Sequence, residues 1–204
     1  MPVGFLDAIL GRSKPVRPDL DQLFALPSAA VTLQAGAGFT PTGLGSVCFA
    51  TVEGGAFAQL QQDVRALLDA DTERGGAPVE FSQDAYGYTW LLARQPPEDT
   101  AALVNDLHAV NTLLQDGGFG PQLLCSLMGF RDAGGRSLAL VYLYKRGTFY
   151  PFAPVAGDRG EGAQGKQEKR DNGLELQVRA LLADDLRVEE DLARWFPVWG
   201  APGL

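Results

Sequence analysis

The sequence predicts an α+β fold: an antiparallel β-sheet built from about three ββα units with helices packed on it, plus a short N-terminal amphipathic helix. Three observations carry this reading. Apolar, β-branched and aromatic runs occur in pairs joined by short turns, as antiparallel strands require. Longer segments between them place apolar residues at helical spacing. With 204 residues, 46% hydrophobic and 21% charged, the chain is long enough for one well-buried core and short for two. Residues 1–27 read as an N-terminal amphipathic segment and Pro-rich tether. Residues 28–204 read as a single domain with a flexible loop at 155–172 and an aromatic C-terminal tail.

In chain order, GFLDAILG (Gly4 to Gly11) sets Phe5, Leu6, Ile9 and Leu10 on one helical stripe, followed by Arg12, Lys14 and Arg17. Such a segment docks on a protein surface or lies in an anionic membrane interface. Pro15 and Pro18 form a tether, and Asp19 caps a helical turn through Leu20, Leu23 and Phe24 that stops before Pro27. Ser28 to Gln34 reads as a strand, Gly36 to Gly45 as a glycine-rich connection, and Ser46 to Val52 as a second strand. A helix follows from Ala56 to Ala70, with Phe57, Leu60, Val64, Leu67 and Leu68 turned inward. A turn at 73–78 leads into the pair Val79 to Asp84 and Tyr86 to Arg94, with Gly87 easing the reversal. Pro96, Pro97, Glu98 and Asp99 open the next helix, which buries Leu103, Val104, Leu107, Val110 and Leu114 and closes at Gly117 and Gly118.

Leu123 to Pro154 is the longest and most β-like stretch and is expected in the middle of the sheet. It comprises strands Leu123 to Arg131, Ser137 to Lys145 and Thr148 to Phe152. Val155 to Asn172 holds too few apolar residues to order itself. Gly173 to Asp185 returns to helical periodicity through Leu174, Val178, Leu181 and Leu182. The tail concentrates Trp195, Phe196, Val198 and Trp199, large side chains that pack back on the domain or fill a partner's pocket.

A net charge of −8 argues against a nucleic-acid partner, since phosphate-backbone binding needs a basic face. The absence of a long apolar run or signal-peptide core makes the cytoplasm the expected location. Cys48 and Cys125 lie in apolar runs and read as small buried hydrophobes, able to bridge only if their strands are adjacent. No CxxC pair and one histidine leave no Cys/His metal set, and no cofactor or metal is expected. Gly36 to Gly45 matches neither GxGxxG nor GxxxxGK[ST]. His108 could serve a thiol as base only if the fold brought it to Cys48 or Cys125; otherwise it is a packed or solvated histidine. Carboxylate pairs such as Glu98 and Asp99 sit where helix capping accounts for them. Lys145 and Arg146, followed by Phe149 and Tyr150, form a basic and aromatic edge that suits a phosphate or is simply a charged turn.

Three strings stand out together: GFLDAILGRSKPVRPDLDQLFALPSA, FGPQLLCSLMGFRD with LALVYLYKRGTFYPFAP, and RWFPVWGAPGL. They resemble PspA-associated protein B (PspAB), a bacterial family, across essentially the whole chain. The resemblance implies an accessory role in a phage-shock-type envelope-stress system, whose central protein PspA coats stressed inner membrane. It further implies a PspA-like protein or a membrane protease of the HtpX type as partner, and no catalytic residues. The expectation is a non-enzymatic cytoplasmic protein, peripheral at the inner face of the membrane. Its contacts would be Phe5, Leu6, Ile9 and Leu10 at the N-terminus, Lys145, Arg146, Phe149 and Tyr150 in the middle, and Trp195, Phe196 and Trp199 in the tail. The alternative is a small-ligand-binding domain or cryptic enzyme using the Gly36–Gly45 loop and the Lys145/Arg146 turn, recognisable by a pocket lined with those residues.

Overall fold

A computed structural model of the chain describes residues 18–51, 54–69, 79–155 and 169–204. The expected N-terminal amphipathic helix, the expected turn at 73–78 and most of the segment 155–172 expected as a loop lie outside the described residues.

The first element corrects the sequence reading. A 3-10 turn, Leu20–Ala25, runs directly into helix α1, Leu26–Ala37, so the segment expected as a strand at Ser28 to Gln34 is helical. Pro27, expected to stop the preceding turn, instead starts this helix, because the first turn has no intrahelical partner for the N–H that proline lacks. Leu26, Ala29, Ala30 and Leu33 recur at helical spacing and all are buried, while Val31 faces solvent. Asp19 holds Gln22 Nε2 at 3.0 Å with its carboxylate and makes no side-chain cap to the backbone. Gly38 ends the helix at φ 72, a left-handed conformation that costs glycine little, and donates its N–H to Gln34 O. The expected glycine-rich connection is therefore the end of α1 and the beginning of strand β1, Phe39–Ala50.

The later elements follow the expected order: α2 (Gly55–Asp69), β2 (Glu80–Gln83), β3 (Tyr88–Arg94), α3 (Thr100–Leu114), β4 (Leu123–Asp132), β5 (Ser137–Leu143) and β6 (Thr148–Phe152). A two-residue ladder, β7 (Pro154–Val155) with β8 (Lys169–Arg170), precedes α4 (Asn172–Leu181). Asp99 caps α3 by accepting the Ala102 N–H at 2.9 Å. The main sheet is antiparallel in the order β2-β3-β1-β4-β5-β6. The fold is thus α+β, with its first unit built on a helix in place of a strand. Leu123 to Pro154 supplies one half of the sheet, from β4 at the centre to β6 at the edge. Beyond β6, the Phe149 N–H donates to Arg187 O and the Glu189 N–H donates to Phe149 O, which prolongs the sheet by one parallel bridge.

Both faces of the sheet are apolar. Phe39, Phe49, Leu91, Met128, Phe130, Leu140 and Tyr142 meet the helices. Side chains of this size stabilise by about 1.5–3 kcal/mol each when fully buried. Leu67, expected inward on α2, is 50% exposed. A polar seam fixes α3 on β4, where Asn111 Nδ2 donates to Ser126 Oγ at 2.8 Å and to Leu107 O at 2.7 Å.

The opposite face carries Cys48, Trp90, Cys125, Leu127, Val141, Tyr150 and Phe152, and the C-terminal tail covers it with Trp195, Val198, Trp199 and Ala201. Trp195 stacks on Tyr150 with centroids 6.0 Å apart, and Trp199 meets Phe152 edge-on at 4.8 Å. At Gly129 the tail backbone comes so close that an added Cβ would overlap Gly203 O. Gly129→Ala is therefore expected to lower stability by about 1–3 kcal/mol through overpacking. Urea unfolding measures the loss, and a red shift of tryptophan emission reports lifting of the tail.

Candidate functional site: a pocket beneath the C-terminal tail

Antiparallel pairing brings the start of β3, the end of β1, the start of β4 and the end of β5 to one end of the sheet. There the tail leaves the sheet partly uncovered. Between the strands and Phe196 to Trp199 lies a cavity of about 530 Å³, within the range of small-molecule sites. Cys48 and Cys125 line it beside Trp90, Leu124, Leu143 and Tyr150 from the strands, with Val198 and Trp199 from the tail. Lys145, Arg146 and Arg194 line it as well, as do Asp84 and Tyr86 from the β2–β3 turn.

Three polar side chains around this cavity, Asp84, Trp90 and Tyr150, are committed within the protein. Asp84 accepts Trp90 Nε1 at one carboxylate oxygen and the N–H groups of Tyr86 and Tyr88 at the other, all at 2.9 Å. Burial would raise this carboxyl, and those hydrogen bonds more than offset it, holding Asp84 below the usual carboxylate value. The Tyr150 hydroxyl donates to Phe196 O at 2.7 Å, and burial pushes its phenol well above the ordinary value.

Glu189 ties the tail to the β5–β6 turn. Its side chain is 3% exposed and accepts Arg146 Nε at 2.7 Å, Thr148 Oγ1 at 2.9 Å and the Asp191 N–H at 3.2 Å. Its backbone carbonyl accepts Trp195 Nε1 at 3.0 Å. Burial alone would raise the Glu189 carboxyl; the bonds from Thr148, Arg146 and the Asp191 N–H prevail and lower it. Arg194 adds contacts to Glu189 at 3.5 Å and to Asp191 at 3.4 Å.

Cys48 and Cys125 stand directly opposite each other across β1 and β4 as free thiols. The hydrogen bond between them, together with burial, pushes the Cys48 thiol far above its ordinary range, the reverse of what a nucleophile needs. His108 is on the other side of the sheet. It packs against Phe24 at 4.7 Å, with Asp21 Oδ1 at 3.5 Å from Nε2, so no thiol–histidine dyad forms.

The sequence-predicted contact residues therefore divide. Lys145, Arg146, Tyr150, Phe196 and Trp199 converge on the pocket. Trp195 is buried behind Tyr150. Phe149, expected on the same surface as Tyr150, points to the helix-covered face against Tyr142 at 5.2 Å, because neighbouring residues of a strand face opposite sides. Phe5, Leu6, Ile9 and Leu10 lie outside the described residues. Gly36 to Gly45, incorporated into α1 and β1, contributes nothing to the pocket lining. Sequence reasoning missed Asp84, Trp90, Arg194 and the role of the cysteines. The available signal was SVCFA, apolar at both strand parities, which marks a strand covered on two faces.

Among the described residues there is no group of three or more His, Cys, Asp or Glu placed to hold a metal ion. A family model described as PspA associated protein B matches residues 3–203 of the chain. No curated protein and no solved structure matches it.

Two outcomes follow from the geometry. Iodoacetamide at pH 8 is expected to leave Cys48, 3% exposed and with its thiol pushed up, unmodified in the native protein and to label it in guanidinium, as read by peptide mass. Because the Glu189 carboxyl is lowered on folding, its stabilisation is complete above the ordinary value of 4.5 and disappears as pH falls through the folded-state value. Glu189→Gln should thus lower stability by about 1.5–3 kcal/mol at pH 7 and flatten the acid limb of a pH–stability curve.

Proposed function

The chain belongs to the family of PspA associated protein B, and we propose that it is a non-enzymatic accessory protein of a PspA-type, phage-shock envelope-stress response. In this reading it binds a protein partner at the cytoplasmic face of the membrane. The observation that carries it is the match over residues 3–203 to a family named for association with PspA. A PspA-like protein is the first partner, and a membrane protease of the HtpX type is the second. Support for a contact surface comes from the pocket region, where Phe196 is 59% exposed and Lys145 and Arg146 border the same cavity. An exposed aromatic beside cations has the composition of an interface anchor. The N-terminal stripe of Phe5, Leu6, Ile9 and Leu10, with Arg12, Lys14 and Arg17 after it, is the proposed second contact, with the partner or with an anionic lipid surface. Among the described residues no helix is long and apolar enough to cross a membrane, and the membrane contact proposed is peripheral.

A second reading, a small-ligand-binding domain, is favoured by the cavity itself. It keeps the Lys145/Arg146 turn and gives up the Gly36–Gly45 loop.

The test is capture of the full chain on immobilised PspA, repeated with residues 1–17 deleted, with Phe5→Asp/Ile9→Asp, and with Phe196→Ala. Loss of an interface anchor typically removes about 2 kcal/mol or more, roughly thirtyfold in affinity. Weakening of that order in the N-terminal or tail variants is expected, and undiminished capture by all of them would sink the assignment of contacts.

A further inference from the structure

Taking the cavity as a ligand site, we infer that it receives a single-chain amphiphile with an anionic head, of which a free fatty carboxylate is the simplest member. The chain lies across β1 and β4 over Cys48 and Cys125, and the head sits at Lys145.

Four observations support this assignment. The first is length. Lining residues run from Trp90 on β3 to Leu143 on β5, across three interstrand steps, or about 14 Å at the usual spacing. That approaches the roughly 15 Å that one leaflet contributes to a bilayer's hydrocarbon layer of about 30 Å. The second is the interior chemistry. The floor of the cavity is Cys48, Leu124, Cys125 and Leu143. The Asp84 carboxylate, Trp90 Nε1 and Tyr150 hydroxyl beside it are hydrogen-bonded within the protein, so polar groups of a ligand lying on this floor would lose water without replacement.

The third is the distribution of charge. Lys145 is exposed and has no ion pair among the described residues, whereas Arg146 and Arg194 are engaged by Glu189 and Asp191. This uncommitted cation belongs to a chain of net charge −8. The β2–β3 side of the cavity carries Asp84, so an anionic head is attracted at the Lys145 side and repelled at the other. The fourth concerns backbone groups. β1 and β4 are each paired on both sides, leaving no strand edge on the floor for a bound peptide's N–H and C=O groups. A hydrocarbon chain has no such groups to satisfy.

The experiment titrates the full-length protein with sodium myristate below its micellar concentration, following tryptophan emission and calorimetric heat. One saturable site is expected. Lys145→Glu should weaken binding about tenfold or more, tetradecanol should bind more weakly than myristate, and Leu143→Trp, which fills the cavity, should abolish binding. Lys145→Glu alters only an exposed side chain, so it remains decisive if Leu143→Trp fails to fold. Absence of myristate binding, or equal binding by wild type and Lys145→Glu, would overturn the proposal. Binding confined to vesicles of anionic diacyl lipid, or displacement of myristate by a PspA peptide with no effect of Lys145→Glu, would also overturn it. PspA capture measured on the same variants separates the two readings: capture that persists while myristate fails removes only the ligand assignment.

Discussion

A sheet whose inner strands carry apolar side chains on both faces must be covered twice, and this requirement organises the molecule. β1 and β4 present Phe49 and Met128 to one side and Cys48, Cys125 and Leu127 to the other. Helices solve the first side in the ordinary way, since their backbone groups bond internally and only an apolar stripe has to fit. The second side is covered by an irregular segment whose backbone has no ladder of its own, so its polar groups need partners from elsewhere. The Tyr150 hydroxyl serves Phe196 O, and Arg170 Nη1 serves Trp195 O.

Arg170 and the two buried glutamates act as posts for this cover. Arg170 Nε donates to Glu175 Oε1 at 2.9 Å, the same oxygen that takes the Ala153 N–H, while its guanidinium lies 5.1 Å from the centre of the Phe152 ring. One β8 side chain therefore links α4, β6 and the tail. Glu189 performs the equivalent task between the β5–β6 turn and the tail. The pocket follows from the spacing of these posts: the tail is held close at Gly129 and at Tyr150, and between those holds and the β2–β3 turn it stands away from the sheet.

Strong periodicity made much of the fold legible. α3 could be read because Leu103, Val104, Leu107, Val110 and Leu114 keep helical spacing over about three turns, and all five are buried. β4, β5 and β6 could be read because their apolar runs are separated by turn residues. α1 could not, because Val31 and Thr32 give SAAVTLQ a strand-like composition and Pro27 resembles a terminator when it is an initiator. One corner of the pocket was visible as the Lys145/Arg146 turn. Its floor depends on long-range pairing, Cys48 against Cys125 and Cys48 against Trp90, which no local pattern specifies. The tail's aromatics left two fates open, and the structure divides them: Trp195 is buried in the domain while Phe196 stays outside.

The order of the chain has a consequence for synthesis on the ribosome. All six strands of the main sheet are complete by Phe152, whereas the residues that shield their second face begin near Val188 and continue to Leu204. At about 5–20 residues per second, the intervening stretch takes several seconds to translate. During that interval a nearly finished sheet can emerge with Trp90, Val141 and Phe152 bare on one side. The nascent protein thus passes through a state that offers a broad hydrophobic face to any holding chaperone, and only the later-made residues from Val188 onward close that state.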